Sequence, residues 1–379
     1  MATLLALAGP AAADPPQPTD YRSVIDAVEP ATDALDVEVV GGDSFLQVTV
    51  EPDHEVVVEG YQGEPYLRFR ADGTVERNRR SPATYANEDR QGDVELPADA
   101  DPEADPDWEE VASGGRYAWH DHRIHWMNPG RPDGEPGDVI QGWTVVLTVD
   151  GEPTAIEGRL LWVEPANPWP WVVLAAVVLA GLAVVGRLRS GWARTLAAGA
   201  TVLAAAVALV VGVGQYADAP AQGAASPLLV AVPAVALVVG LAGLAGILRG
   251  RGRAGRAGIP WGPVATLAGV AAVLGWAALR LEVLWKPVLP TTLPANLDRA
   301  GTALALALAA GAAALVVASG GLVLGRPPRL RPTADAPGST ARAAPGAKDA
   351  EGDGGEPAGD PDEADEPAGD TVDADGERA

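Results

Sequence analysis

Five uncharged apolar stretches in the second half of the chain constrain its fold more than any other feature. They lie at about residues 169–186, 195–215, 227–248, 261–279 and 302–325. Each is about 18–24 residues long, which at a rise of about 1.5 Å per residue reaches across a hydrocarbon core about 30 Å thick. The sequence therefore predicts a multi-pass membrane protein in which residues 167–326 form an all-α bundle of five transmembrane helices.

Charge is distributed unevenly over the chain. The formal net charge is −24, although 47% of the 379 residues are hydrophobic. Residues 14–168 hold 34 acidic and 11 basic side chains, residues 169–332 hold 3 and 13, and residues 333–379 hold 14 and 3. The acidic balance outside the bundle excludes a general affinity for nucleic acid. The absence of Cys excludes disulfides and thiolate chemistry.

Basic residues in alternate loops predict the orientation in the cell membrane. The loops after the first and third stretches, with the segment after the fifth, carry ten Arg, whereas the other two loops carry three basic residues. Because cytoplasmic loops carry the excess, the N-terminal domain is expected outside and the C-terminus inside. Residues 1–13 read as a signal peptide, whose shortness favours a start codon further upstream. Residues 327–379, acidic and rich in Gly and Pro, predict a disordered cytoplasmic tail.

The extracytoplasmic domain, residues 14–166, has the pattern of an all-β fold. Short apolar-alternating runs are separated by turn signals such as Asp72-Gly73 and Asp150-Gly151. The runs are residues 36–40, 45–51, 55–59, 66–70, 117–120, 143–149 and 154–163, and residues 97–110 read as a loop. About seven strands without a long amphipathic helix predict an immunoglobulin-like sandwich.

Aromatic and Arg side chains are concentrated in residues 60–85 of this otherwise acidic domain. Both types are common on binding surfaces, because they give a large contact area and directional bonds. The candidates for contact with an envelope protein partner are Tyr61, Tyr66, Arg68, Arg79, Arg80 and Tyr85. The alternative is a strand pair with aromatic rings inward and Arg side chains paired with carboxylates.

Three of the four His residues and one of the two Met residues lie close together in residues 117–127. The candidate metal ligands are His120, His122, His125 and Met127. Imidazole with thioether suits copper, and imidazole with the Asp121 carboxylate suits zinc or copper(II). If the segment is extended, His120 and His122 project to one face about 6–7 Å apart. The alternative is that the His residues only make hydrogen bonds within the fold.

The two segments GYQGEPYLRFRADGTVERNRRSPATY and RYAWHDHRIHWM, with the expected export signal and spans, resemble a family of uncharacterised actinobacterial membrane proteins over about residues 20–325. That family implies no settled activity. A weaker likeness is to copper-resistance β-sandwiches of the CopC type, whose closing turn resembles Asp150-Gly151-Glu152-Pro153. Glu152 replaces the His of that turn and an N-terminal His is missing, so their copper site does not carry over.

Catalytic and transport signatures are missing from the sequence. The apolar stretches hold no ionisable residue, and Arg280 with Glu282 at the end of the fourth reads as an interfacial pair. Neither a nucleophile elbow nor a phosphate-binding Gly motif is present. We therefore expect a non-enzymatic membrane protein, surrounded by bilayer lipid, whose outer domain binds a ligand, with copper as a candidate. The alternative is an envelope scaffold or interaction module with structural His residues.

Overall fold

The computed structural model describes residues 15–88, 90, 92, 94–128, 130–220, 226–250 and 261–319. Within them a mostly antiparallel β region, called here the β domain, precedes five long apolar helices. The expected signal peptide (1–13) and acidic tail (327–379) lie outside the described residues.

Ten strands form the described part of the β domain. They are β1 (Tyr21–Glu29), β2 (Leu35–Val40), β3 (Phe45–Val50), β4 (Val56–Glu59), β5 (Pro65–Phe69), β6 (Val75–Asn78), β7 (Trp108–Ala112), β8 (Arg116–Trp119), β9 (Val139–Val149) and β10 (Glu152–Trp162). A five-residue helix, α1 (Pro82–Ala86), follows β6 and is capped by the Ser81 side chain.

The strands form two antiparallel sheets that share one core. The larger has the order β1-β10-β9-β4-β5-β6-β7 and the smaller has the order β2-β3-β8. Buried side chains from both sheets, including Val48, Leu67, Trp119 and Leu147, belong to the same hydrophobic cluster. The long β9–β10 hairpin turns at Asp150-Gly151, where both residues have positive φ, as the predicted Asp-Gly turn requires.

Three strands lie outside the runs predicted from the sequence. β1 and β7 are the edges of the large sheet, and most of their side chains are exposed or half-buried, so neither has a clear apolar alternation. β6 has a single apolar residue, Val75. β7 begins at Trp108, so the end of the expected loop (97–110) is a strand.

Five helices are long and apolar enough to cross a membrane. They are α2 (Trp169–Leu188), α3 (Ala193–Ala217), α4 (Leu228–Gly250), α5 (Trp261–Ala278) and α6 (Ala295–Ala318). The last helix begins at Ala295, earlier than the expected start near residue 302. Its first turns contain Asp298 and Arg299, so they are not part of the apolar stretch from which the span was predicted. Its expected continuation to residue 325 lies outside the described residues.

One ion pair at the end of the bundle differs from the expectation. Arg280 pairs with Asp298 at 2.8 Å, and both side chains are buried, whereas Glu282 is exposed. The guanidinium also lies 4.9 Å from the ring centroid of Trp276. The expected Arg280–Glu282 pair is therefore replaced by a buried pair between the α5–α6 connection and the first turn of α6.

The β domain is joined to this end of the bundle by direct contacts. Thr19 and Val288 form a two-way backbone bridge, and Lys286 Nζ donates to Asp20 Oδ2 at 2.6 Å. A Cβ on Gly42, whose φ is +82°, would lie 2.4 Å from the Val288 side chain. Close approach of the two parts therefore requires glycine at that position.

Arg299 holds in place the part of the α5–α6 connection that contacts the β domain. Its Nε donates to the carbonyl of Val283, and its Nη2 donates to those of Lys286 and Pro287. The bundle end that faces the β domain is therefore braced by buried Arg side chains.

Candidate functional site

The His-rich segment leaves the smaller sheet where β8 ends at Trp119. Residues 120–128 run through turns and bends and include no strand. The alternation expected of an extended segment therefore does not apply to His120 and His122. The position of each imidazole is set by side-chain contacts instead.

Asp121 anchors the segment. Its carboxylate is fully buried, accepts Nε and Nη2 of Arg123 at 2.8 and 2.7 Å, and accepts the Trp119 indole N–H at 2.8 Å. Burial alone would raise the pKa of Asp121, but the charge and hydrogen bonds of Arg123 outweigh it and hold the pKa below its usual value. Asp121 is therefore an ionised structural group and not a free metal ligand.

His120 faces the interior of the β domain. Its Nδ1 lies 2.5 Å from the Ser44 carbonyl oxygen, to which it can only donate, and its ring stacks on Phe45 with centroids 4.0 Å apart. The ring is 1% exposed. One nitrogen of His120 is thus committed to the fold.

His122 brings together the two segments singled out in the sequence. Its ring stacks on Tyr61 with centroids 5.7 Å apart, and its backbone N–H donates to the Tyr61 hydroxyl at 3.0 Å. The Tyr61 hydroxyl in turn donates to Asn87 Oδ1, and Arg123 lies over the Tyr61 ring. Burial raises the pKa of Tyr61, so the phenol stays protonated.

His125 is the unusual member of the cluster. Its ring is 1% exposed, and neither Nδ1 nor Nε2 has a hydrogen-bond partner in the described part of the chain. Burial, followed by the charge of Arg90, lowers its pKa to about 3, so the imidazole is neutral. It lies edge-on to His122, with ring centroids 5.3 Å apart. Buried nitrogens without partners are uncommon and destabilising, which marks this position.

Two buried ion pairs balance the charges around the imidazoles. Arg90 donates to Asp43 Oδ2 at 2.8 Å and to the Ser44 hydroxyl at 3.1 Å. Burial raises the pKa of Asp43, with Arg90 opposing the rise. With Asp121 paired to Arg123, each guanidinium near the His side chains has a carboxylate beside it.

The structure does not gather the four predicted metal ligands into one complete site. Within the described ranges, no group of three or more His, Asp or Glu side chains lies close enough to hold a metal ion. Met127 is half-buried, and His54 pairs with Asp150 elsewhere. Of the predicted ligands, His122 and His125 have their rings in contact.

The predicted Arg and aromatic partner surface is mostly occupied by contacts within the domain. Tyr66 is 2% exposed and belongs to the core, so it is not a surface residue. Arg68 pairs with Glu76 and lies over Trp108.

The other members of that surface are more exposed. Arg79 pairs with Asp107, and its carbonyl accepts the Tyr85 hydroxyl. The exposed Arg80 side chain has no ion-pair partner among the residues described, and Tyr61 is 37% exposed. Arg79, Arg80 and Tyr61 are therefore the exposed members of the predicted partner surface.

Sequence reasoning missed Asp43, Ser44 and Arg90 beside the imidazoles. They lie far along the chain from His125, and only the pairing of β3 with β8 brings Ser44 next to His120. Asp43 lies in the turn between β2 and β3, and nothing in the turn sequence indicates that its carboxylate is buried.

Comparison with protein-family models, with curated proteins and with solved structures found no match to this chain.

Proposed function

We propose that the chain is a non-enzymatic multi-pass membrane protein whose β domain, an immunoglobulin-like sandwich outside the membrane, binds copper at His122 and His125. The observation that carries the proposal is the buried, neutral His125 ring, whose two nitrogens lack partners among the described residues and which lies beside a second imidazole. An imidazole must be neutral to bind a metal ion, and the low pKa of His125 keeps its ring neutral at any physiological pH.

Copper suits this pair better than zinc does. Structural zinc sites need four ligands and catalytic ones need three, whereas the described residues offer two adjacent imidazoles. Copper(II) has the highest affinity of the first-row divalent ions for a given set of ligands, and a thioether such as Met127 would favour copper(I). The pairing of Arg90 with Asp43 and of Arg123 with Asp121 offsets the positive charge that would repel a cation.

Competition titration of the purified full chain against a chromogenic copper chelator tests the proposal. We expect one copper per chain and an affinity that falls more than tenfold in His122→Ala and in His125→Ala. His54→Ala is the matched control, because His54 is a half-exposed imidazole paired with Asp150 far along the chain. Equal copper affinity in the wild type and in both variants would overturn the proposal.

A second function is favoured by a separate observation. The hydrogen bonds of His120, Asp121 and Arg123 support a structural role for part of the His-rich segment, and Arg80 and Tyr61 are exposed. An envelope interaction module, in which these two side chains contact a protein partner, is therefore the alternative. Cross-linking from position 80 in intact cells, absent from position 131 on another loop, would support it.

A further inference from the structure

A groove runs along the bundle at the end opposite the β domain. Its volume is about 600 Å³, within the range of ligand sites. The lining comes from α2, from the α2–α3 connection and from the end of α6, and includes Leu179, Ala183, Ala314, Leu315 and Ala318. The walls are thus apolar side chains at membrane depth.

The groove exists because α2 packs on α6 and not along α3. At the contact, a Cβ on Gly186 would lie 2.3 Å from the Leu315 side chain, so the two helices meet closely. Gly186 is the only residue of α2 that is buried. The rest of α2 stands away from its sequence neighbour and leaves the space between them open to the bilayer.

Polar groups are confined to one end of the groove. Arg187, in the last turn of α2, and Ser190, in the following turn, both line it. Over the described ranges, neither the Arg187 guanidinium nor the Ser190 hydroxyl has a hydrogen-bond or ion-pair partner. Arg194 lies nearby and donates to the Ser319 carbonyl on the far wall. A positive, hydrogen-bonding end therefore adjoins an apolar slot.

We propose that this groove binds one anionic phospholipid, with an acyl chain along α2 and α6 and the phosphate at Arg187 and Ser190. Basic pockets between transmembrane helices bind anionic head groups in this way. The apolar length matches the acyl chain, and the Arg187 guanidinium, which has no ion-pair partner in the described part of the chain, matches the phosphate charge. This inference is independent of copper binding by the β domain.

Native mass spectrometry of the detergent-purified full chain, supplied with phosphatidylglycerol or phosphatidylcholine of the same acyl chains, tests the site. We expect one retained phosphatidylglycerol, bound more tightly than phosphatidylcholine. Arg187→Gln should weaken its binding about fivefold, and Arg249→Gln, at the same end of the bundle on α4, should leave it unchanged. Ala314→Trp should block the slot and lower the binding of both lipids, whereas Val177→Trp, on α2 outside the groove, should not.

Three results would overturn the lipid site. The first is equal retention of the two lipids, and the second is equal weakening by Arg187→Gln and Arg249→Gln. The third is stronger phosphatidylglycerol binding after removal of residues 327–379, which would make the chain's own C-terminal segment the occupant. Thermal unfolding of each variant checks that it is folded.

Discussion

At the residue scale, His125 is a buried side chain whose ring nitrogens have no hydrogen-bond partner among the described residues. A buried polar atom without a partner costs about 1–3 kcal/mol, and in the described part of the chain this ring has two such atoms. Such a position is explained when a ligand supplies the missing partner.

Replacing His125 by Leu removes both unpartnered nitrogens while keeping the volume. We expect the metal-free full chain to gain about 1–3 kcal/mol of stability, seen as a thermal unfolding midpoint several degrees higher. His54→Leu, at a half-exposed site, should change the midpoint little. A lower midpoint for His125→Leu in metal-free buffer would show that the ring nitrogens already make stabilising contacts.

Asp121 differs from His125, because both oxygens of its buried carboxylate accept hydrogen bonds. Asp121→Ala leaves the Arg123 guanidinium without its carboxylate and should cost about 3–5 kcal/mol of folding free energy. The comparison is Asp26→Ala, which breaks an exposed pair with Arg159 and should cost at most about 1 kcal/mol. Similar losses in chemical denaturation of the two variants would mean that Asp121 does not anchor the segment.

At the element scale, the α5–α6 connection depends on a buried ion pair. Asp298→Ala leaves Arg280 buried and unpaired and should lower stability by about 3–5 kcal/mol, whereas Glu282→Ala, at an exposed neighbour, should have little effect. The double variant Arg280→Met, Asp298→Leu should recover most of the loss, because it removes both charges together. Thermal unfolding in detergent measures all three, and no recovery in the double variant would contradict the account.

Asp218, directly after α3, is expected to make the folding stability depend on pH. Burial, with a contribution from the Glu38 charge, raises the pKa of Asp218 to about 6. A carboxyl whose folded pKa is raised favours the fold at low pH and loses that contribution as the pH rises through about 6.

Asp218→Asn should therefore stabilise the full chain at pH 7.5 by about 1 kcal/mol, a value reduced for solvent screening because the group is half-exposed. The gain should vanish at pH 4. Asp33→Asn, on an exposed turn, is the control. A gain that is equal at both pH values would exclude titration of Asp218 as its cause.

The elements that could be predicted from the sequence are those whose signal is local. Apolar length predicted all five long helices, and alternation with turn residues predicted β9 and β10 with the Asp150-Gly151 turn between them. β1 and β7 were missed because most of their side chains are exposed or half-buried, which leaves no clear apolar alternation. The polar first turn of α6 was missed because hydropathy does not detect a buried ion pair.

The candidate site was predictable only in part. Clustering in the sequence drew attention to His122 and His125, and the geometry brings their rings into contact. The clustering in the sequence could not show that β8 would end at Trp119, which turns His120 toward Ser44. Nor could it place Asp43 and Arg90, because their positions depend on pairing between strands distant in the chain.

At the scale of the whole molecule, the β domain and the bundle are joined at several points. The Thr19–Val288 bridge, the Asp20–Lys286 pair and the hydrogen bond from Ala166 to Trp285 connect them on one side of the bundle. The β domain is therefore held close to the bundle. The proposed lipid groove lies at the other end of the same helices, so the two sites can be tested separately.

Copper K-edge X-ray absorption spectroscopy of the full chain, loaded with one equivalent of copper, tests the central claim most directly. The account predicts scattering from imidazole nitrogens at about 2 Å, kept in His54→Ala and lost in the double variant His122→Ala, His125→Ala. The same imidazole signal in the double variant would contradict it, as would copper bound by the wild type without imidazole.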